Sequence, residues 1–271
     1  GQEAVKYCTS LTYIDIPDAV TGVGTNAFYW CTGLTSIDLS GTQVTNIGEY
    51  VFYNCTSLTS ITIPDSLTTI GERAFYKCTN LPSIDLSETH VTTIDSRAFY
   101  YCSNLTSIDL PNSLISISAH TFHNCTSLPS IDLSGTHVTT IDKYAFYNCT
   151  SLTSIHIPDS VTTIGDYAFV LCTSLTAIYL GNSVTTIGSE AFRNCTSLTS
   201  ITVHANNNSF SDINGVLFNK DQSTLIQYPI GNTSTSYAIP HSVTTIGLSA
   251  FAQCSSLTSI DLSGTQVTTI G

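Results

Sequence analysis

The sequence predicts an α/β solenoid: a right-handed superhelix with a parallel sheet on one face, short strands and 3₁₀ or helical turns on the other walls, and one β-hairpin insertion. Three observations predict it. A skeleton seen most clearly in Ala145 to Gly165 (AFYNCTSLTSIHIPDSVTTIG) returns along almost the whole chain. Ten cysteines mark its period, at Cys8, Cys31, Cys55, Cys78, Cys102, Cys125, Cys149, Cys172, Cys195 and Cys254, in steps of 23 or 24, alternating as far as Cys172, before a last step of 59. Nine phenylalanines fall in one column, Phe28, Phe52, Phe75, Phe99, Phe122, Phe146, Phe169, Phe192 and Phe251. Self-similarity at this period selects a solenoid, because one unit cannot bury its apolar face without a neighbour.

Each element of the unit has its own reason. Leu-Thr-Ser-Ile-x-Leu (Leu58 to Ile63, Leu105 to Leu110) alternates apolar and polar residues, the period of a half-buried strand. Stacked at about 4.8 Å, ten such strands make an array on the order of 50 Å long. Pro-Asp-Ser in the shorter units and Ser-Gly-Thr in the longer ones are turn sequences. Val-Thr-Thr-Ile-Gly is a second extended stretch. Gly165, Asp142 or Ser118 then turns the chain into Ala-Phe-x-x-Cys, expected as a short helical or 3₁₀ segment.

The whole of residues 1–271 therefore reads as a single solenoid of ten 23- or 24-residue units. Gly1 to Cys8 and the stop at Gly271 share a phase of the repeat, so a segment of a longer array is expected, with caps and anchor outside it. One place breaks the period. The step from Cys195 to Cys254 is 59 residues, 36 longer than the ordinary 23, and the added stretch runs from about residue 204 to residue 237 of the ninth unit. Gly215 to Asn219 and Thr224 to Tyr228 read as a hairpin that projects from the coil, lays one face on its edge, touches a partner and is dispensable for folding.

Composition narrows the function classes. Charged residues are 10% of the chain, against about a quarter in ordinary soluble domains, and Ser, Thr and Asn take the polar role. Such a surface suits an extracellular or cell-surface protein. With 19 acidic and 7 basic residues the net charge is −12, which repels nucleic acid and anionic lipid. No apolar run approaches the ~18 residues of a membrane span, so direct membrane insertion of this segment is not expected.

The skeleton Cys-x-x-Leu-x-x-Ile-x-Leu-Pro-x-Ser-Leu-x-x-Ile-Gly-x-x-Ala-Phe, carried almost letter for letter by Cys55 to Phe75 and Cys149 to Phe169, resembles the BspA-like class of leucine-rich repeats. Phe210 to Pro229 is similar to a hairpin insertion that recurs there. The resemblance covers the chain; its departures are Ser-Gly-Thr in place of Pro, and Asp95, Ser118 and Asp142 in place of Gly. It implies a leucine-rich-repeat superhelix on a surface-exposed or secreted protein of bacteria or protists. Such a protein binds host matrix, host cells or other microbes and has no catalytic activity. The resemblance fixes no ligand-binding residues. A structural spacer that displays another domain is the alternative reading.

Candidate sites follow from repeated positions. Period-2 geometry points Asp15, Asp38, Thr62, Asp85, Asp109, Asp132, His156, Tyr179, Thr202 and Asp261 outward from the strand face. Carboxylates about 5 Å apart should raise one another's pKa or recruit a cation or a basic partner, unless the row is simply a solvated face. Asp132 beside His156 is a possible metal pair. The residue after the Phe is often aromatic, Tyr29, Tyr53, Tyr76, Tyr100, His123 and Tyr147; it offers either a binding stripe or packing between turns. In the insertion, Phe218 and Tyr228 are candidate contact residues.

Asn-x-Ser/Thr occurs at Asn54, Asn104, Asn124, Asn148, Asn194, Asn207 and Asn232, of which Asn207 and Asn232 are expected to be accessible to glycosylation. One cysteine per unit at a fixed phase reads as a buried column of free thiols, although ladder spacing also permits disulfides. No Cys-x-x-Cys, phosphate loop, His-Glu-x-x-His or nucleophile elbow is present, so no cofactor, metal or enzymatic activity is expected.

Overall fold

A computed structural model describes residues 2–271. Each turn of the coil has three walls, and each wall is a hydrogen-bonded ladder running along the coil. On the first, Ser36–Asp38 pairs in parallel with Ser60–Thr62, Ser83–Asp85 with Ser107–Asp109, and Ser154–Ile157, Ala177–Leu180 and Ser200–Val203 form a three-stranded sheet. The middle Ile of most rungs points inward, as at Ile37, Ile84 and Ile155, and its neighbours point out. The second wall is a seven-stranded parallel sheet from Asn46–Ile47 to Thr186–Ile187, with rungs only two residues long. Their isoleucines stack in register, Ile47 on Ile70 on Ile94.

The helical and 3₁₀ turns expected on the third wall do not form: among the described residues there is no helix of any kind. Around every Phe of the column, the residues two before and two after it have positive φ, for example Tyr50 (57°) and Asn54 (59°) around Phe52, or Tyr144 (57°) and Asn148 (58°) around Phe146. A helix needs consecutive right-handed residues, so two left-handed ones four apart abolish it. The freed amides bond sideways instead. Phe52 N–H donates to Ala74 O of the next turn (2.7 Å) and Phe75 N–H to Ala98 O (2.8 Å), while Cys55 N–H closes a tight turn onto Phe52 O (3.1 Å). Asparagine tolerates the left-handed region better than other non-glycine residues. This accounts for Asn-Cys-Thr at Asn54, Asn124, Asn148 and Asn194.

Inside, Phe28 to Phe192 form one face-to-face stack with centroids 5.2–5.9 Å apart. Beside it the cysteines are free thiols, and those from Cys31 to Cys195 each donate to the carbonyl of the column residue one turn back, as Cys78 Sγ to Phe52 O (3.1 Å). Cys31 to Cys195 are buried, Cys254 is half-buried and Cys8 is exposed. Burial raises the buried thiols, Cys195 to about 12, so they are packing groups and not nucleophiles.

The insertion departs from the projecting hairpin. It is a three-stranded antiparallel meander, Phe210–Ile213, Val216–Asn219 and Thr224–Gln227, and its last strand re-enters the second wall, pairing in parallel with Thr245–Ile246. Tyr228 then occupies the Phe column: its N–H donates to Ala250 O (2.8 Å) and its ring lies 5.3 Å from Phe251. Gly231 stands in the cysteine position, and Ser236–Ala238 pairs with Ser259–Asp261 as an ordinary first-wall rung. The coil thus has one more turn than the cysteines mark, and Tyr237 to Gly247 belongs to that turn instead of completing the ninth.

The middle strand of the meander is buried throughout, with Val216, Leu217 and Phe218 each 2% exposed or less. Leu217 packs into the long core of the preceding turns, whereas Val216 and Phe218 pack into a second core with Leu225, Tyr228, Ile239, Val243 and Ile246. Gly215 turns into this strand at φ +81°, where a Cβ would lie 2.8 Å from Ser200 Oγ. Asn207 sits where the inserted path leaves the coil. Its Nδ2 donates to Gly181 O and Val184 O, and its Oδ1 accepts from the Ser209 and Phe210 amides.

Candidate functional site

The acidic row on the first wall divides into two kinds of residue. Asp38, Asp85, Asp132 and Asp261 each accept, through Oδ1, the backbone N–H of the serine two positions on, at 2.8–2.9 Å. Bonds from Ser40, Ser87 and Ser263 hold Asp38, Asp85 and Asp261 below the usual carboxylate value, and the Ser134 hydroxyl and amide do the same for Asp132. The mutual elevation expected along Asp85, Asp109 and Asp132 is therefore wrong for Asp85 and Asp132, where local bonds to the charged form dominate.

Asp15 and Asp109 are followed two residues later by Pro17 and Pro111, which have no N–H to donate. Asp85 and Asp109 are register partners on adjacent rungs. Asp132 is not free to pair with His156 on a metal ion, because its Oδ1 is held by the Ser134 amide; the His156 imidazole stacks on Tyr179 at 4.5 Å. Among the described residues no group of three or more His, Cys, Asp or Glu side chains is placed to hold a metal ion.

The turn wall brings its aromatic residues together. Tyr29, Tyr53, Tyr76, Tyr100, His123 and Tyr147 form a continuous stack with centroids 4.4–4.8 Å apart and planes within 15°. Both sequence readings meet here: the ring faces pack between turns, and the side chains stay half-exposed. A parallel column begins two residues before the Phe, where His120, Tyr144 and Tyr167 stack at 4.8 and 4.9 Å. Sequence reasoning missed this column and the exposed Trp30 and Tyr101, all of which lie on the two left-handed positions.

Cations rim the stripe. Arg73 lies over Tyr50 at 5.3 Å, Lys77 lies 5.8 Å from both Tyr76 and Tyr101, and Glu72 pairs with Arg73 (2.7 Å) and, at 3.8 Å, with Arg97. Burial pushes the Tyr53 and Tyr100 phenols above their ordinary value. It pushes the His123 imidazole down to about 4, with His120 and Arg97 adding to the effect.

Phe218 and Tyr228 are not surface residues; each fills the second core, which the extra turn requires. Asn207 is also removed from the accessible positions, being fully buried with its amide committed to four backbone partners. The insertion does leave one mark on the surface. Leu225 reaches Tyr228 without the pair of left-handed residues that other turns use. A groove of about 380 Å³ opens beside it, between Gly188 to Asn194 and Gly247 to Gln253, floored by Ile226 and Gln227.

The comparisons with known proteins agree with this architecture. The model of the BspA type leucine rich repeat region matches in six copies, over residues 1–103, 92–224 and 228–271. The chain belongs to this family. Among solved structures, a leucine rich cell surface protein from Faecalibacterium prausnitzii A2-165 is 30% identical with a TM-score of 0.62, over 94% of this chain and 68% of that one. A leucine-rich repeat protein from Eubacterium ventriosum is 26% identical (TM-score 0.56), and this BspA-type chain, matched over 82% of its own length, spans 52% of it. One from Bacteroides ovatus shares the fold at 24% identity and TM-score 0.57, over 94% and 82% of the two chains. No curated protein matches. No helix among the described residues is long and apolar enough to cross a membrane.

Proposed function

We propose that this BspA-type segment is a non-catalytic, protein-binding module displayed outside the cell, and that partners dock on the aromatic turn wall. The observation that carries the reading is the uninterrupted stack from Tyr29 to Tyr147, half-exposed and rimmed by Arg73, Arg97 and Lys77. Tyr, Trp and Arg dominate binding hot spots because they offer large contact areas and directional polar tips. Here the rings are held by their neighbours before any partner arrives, which lowers the ordering cost of association. The cell-surface name of the Faecalibacterium relative supports display at the surface. The acidic row supports no chemistry of its own, since most of its carboxylates cap turns.

The test is saturable attachment of the isolated chain to extracellular-matrix proteins and to cultured cells, measured by biolayer interferometry and flow cytometry. Replacing Tyr53, Tyr76 and Tyr100 together by Ser should weaken attachment by about tenfold or more, the loss of at least 1.4 kcal/mol expected of a hot-spot cluster. Replacing all three by Phe keeps the stack and should retain most of it. Substitutions of Asp85 and Asp109 should leave it unchanged. Absence of any saturable attachment would favour a passive spacer, and undiminished attachment of the Ser variant would move the contact to another wall.

A further inference from the structure

We propose that His120 and His123 form an open two-histidine zinc site on the turn wall. The inference is independent of the docking reading above. In this turn alone, among the described residues, both touching positions of the two aromatic columns carry imidazole; the turns on either side have Arg97 with Tyr100 and Tyr144 with Tyr147. A paired departure in one unit of so regular an array marks a local requirement that the repeat itself does not impose.

The geometry names the requirement. The two Nδ1 atoms are 3.3 Å apart and share a hydrogen bond, whose proton an ion bound by both rings would displace. Zinc–imidazole bonds of about 2.0–2.1 Å place two donors about 3.3–3.4 Å apart along a tetrahedron's edge, whereas neighbouring donors in a square-planar copper site sit about 2.8–3.0 Å apart. The pair is therefore spaced for a tetrahedral ion. Tyr100 and Tyr147 clamp the His123 ring at 4.4 Å on both faces, and Tyr144 covers His120 at 4.8 Å, so the ligands are oriented before the ion arrives.

Around the two rings Asp142 favours a cation, while Arg97 and Lys143 oppose it. No third His, Cys, Asp or Glu completes the set among the described residues. Two coordination positions are thus left for water or for side chains of a docked protein.

The experiment titrates Zn²⁺ into the full chain in competition with a chromophoric chelator, in a Cys8→Ser background that removes the exposed thiol. The expected result is one zinc per chain. His120→Tyr and His123→Tyr restore residues found in the neighbouring turns and so preserve the stack. Each should weaken binding by roughly tenfold or more, because a lost ligand costs at least what a lost supporting partner does, and the double variant should bind none at this site. Co²⁺ in place of Zn²⁺ should give the visible bands of a tetrahedral centre. Lys143→Gln should tighten binding and Asp142→Asn should loosen it. Equal zinc binding by the double variant, or no binding by the Cys8→Ser chain at millimolar zinc, overturns the proposal.

Discussion

The meander's middle strand supports a prediction in which two adjacent substitutions damage opposite ends of the molecule. Leu217 faces the core of the preceding turns and Phe218 the core of the following ones, and both are 0% exposed. Leu217→Ala should cost about 2–5 kcal/mol and Phe218→Ala about 3–5 kcal/mol, each being a fully buried large-to-small change. In a linear array a defect weakens its own turn and the adjacent interface before it reaches distant turns. Local opening energies therefore fall on different sides of the insertion.

Hydrogen exchange read by mass spectrometry at peptide resolution checks this. Leu217→Ala should accelerate exchange in Ala177–Leu180 and Ser200–Val203, leaving Ser236–Ala238 and Thr245–Ile246 near wild type, and Phe218→Ala should do the reverse. The same geometry predicts that replacing the meander by a flexible linker uncouples the last turns, which should become protease-sensitive while the earlier ones stay resistant. Acceleration of the same half by both substitutions, or a linker variant with an unchanged melt, would refute the view that this strand joins two cores.

Asn207→Ala leaves two carbonyls and two amides without their partners, so a loss of at least about 1–3 kcal/mol is expected in a chemical-denaturation series, against a small effect for Asn232→Ala. His123 has a folded pKa of about 4 against about 6.5 when unfolded. Its neutral form therefore contributes stability that is complete above about pH 6.5 and is lost as pH falls towards 4, and melts of His123→Tyr should show a shallower acid limb across that window. Asp38, Asp85 and Asp132 have lowered folded values, so their share is complete above about pH 4 and disappears only below it. Thiol titration of the native chain should find Cys8 first, Cys254 more slowly, and the eight buried cysteines only after denaturation.

The ladders were legible because their signals are simple: Ile61, Ile84 and Ile108 alternate with polar neighbours, and Thr-Ile pairs recur on the second wall. The turn wall was misread because Ala-Phe-x-x-Cys has no glycine or proline to announce a left-handed residue. The signal was the asparagine two after Phe52, Phe122, Phe146 and Phe192, and Tyr, Arg and His at the matching positions obscured it. The extra turn escaped because Tyr228, Gly231 and Tyr237 replace Phe, Cys and Ile at once, leaving spacing as the only trace. For the acidic row the deciding letters were two residues downstream. Serine there binds the carboxylate, as after Asp38 and Asp85, and proline leaves it free, as after Asp109.

Because the hydrogen bonds on all three walls run from turn to turn, tension applied at the two ends of the chain pulls along those bonds and peels the coil one turn at a time. A released turn of 23 residues yields roughly 75–85 Å of contour length at about 3.3–3.6 Å per residue, and the enlarged ninth turn, Cys195 to Gly231, yields roughly 120–130 Å. A single-molecule pulling trace should therefore show near-equal steps interrupted by one long one. The step beyond it, from Gly231 to Cys254, should return to the ordinary length and so make the cysteine-free turn visible as a mechanical unit. Held under flow on a surface, such a chain would lengthen under load in discrete increments, keeping the aromatic stripe intact on every turn still wound.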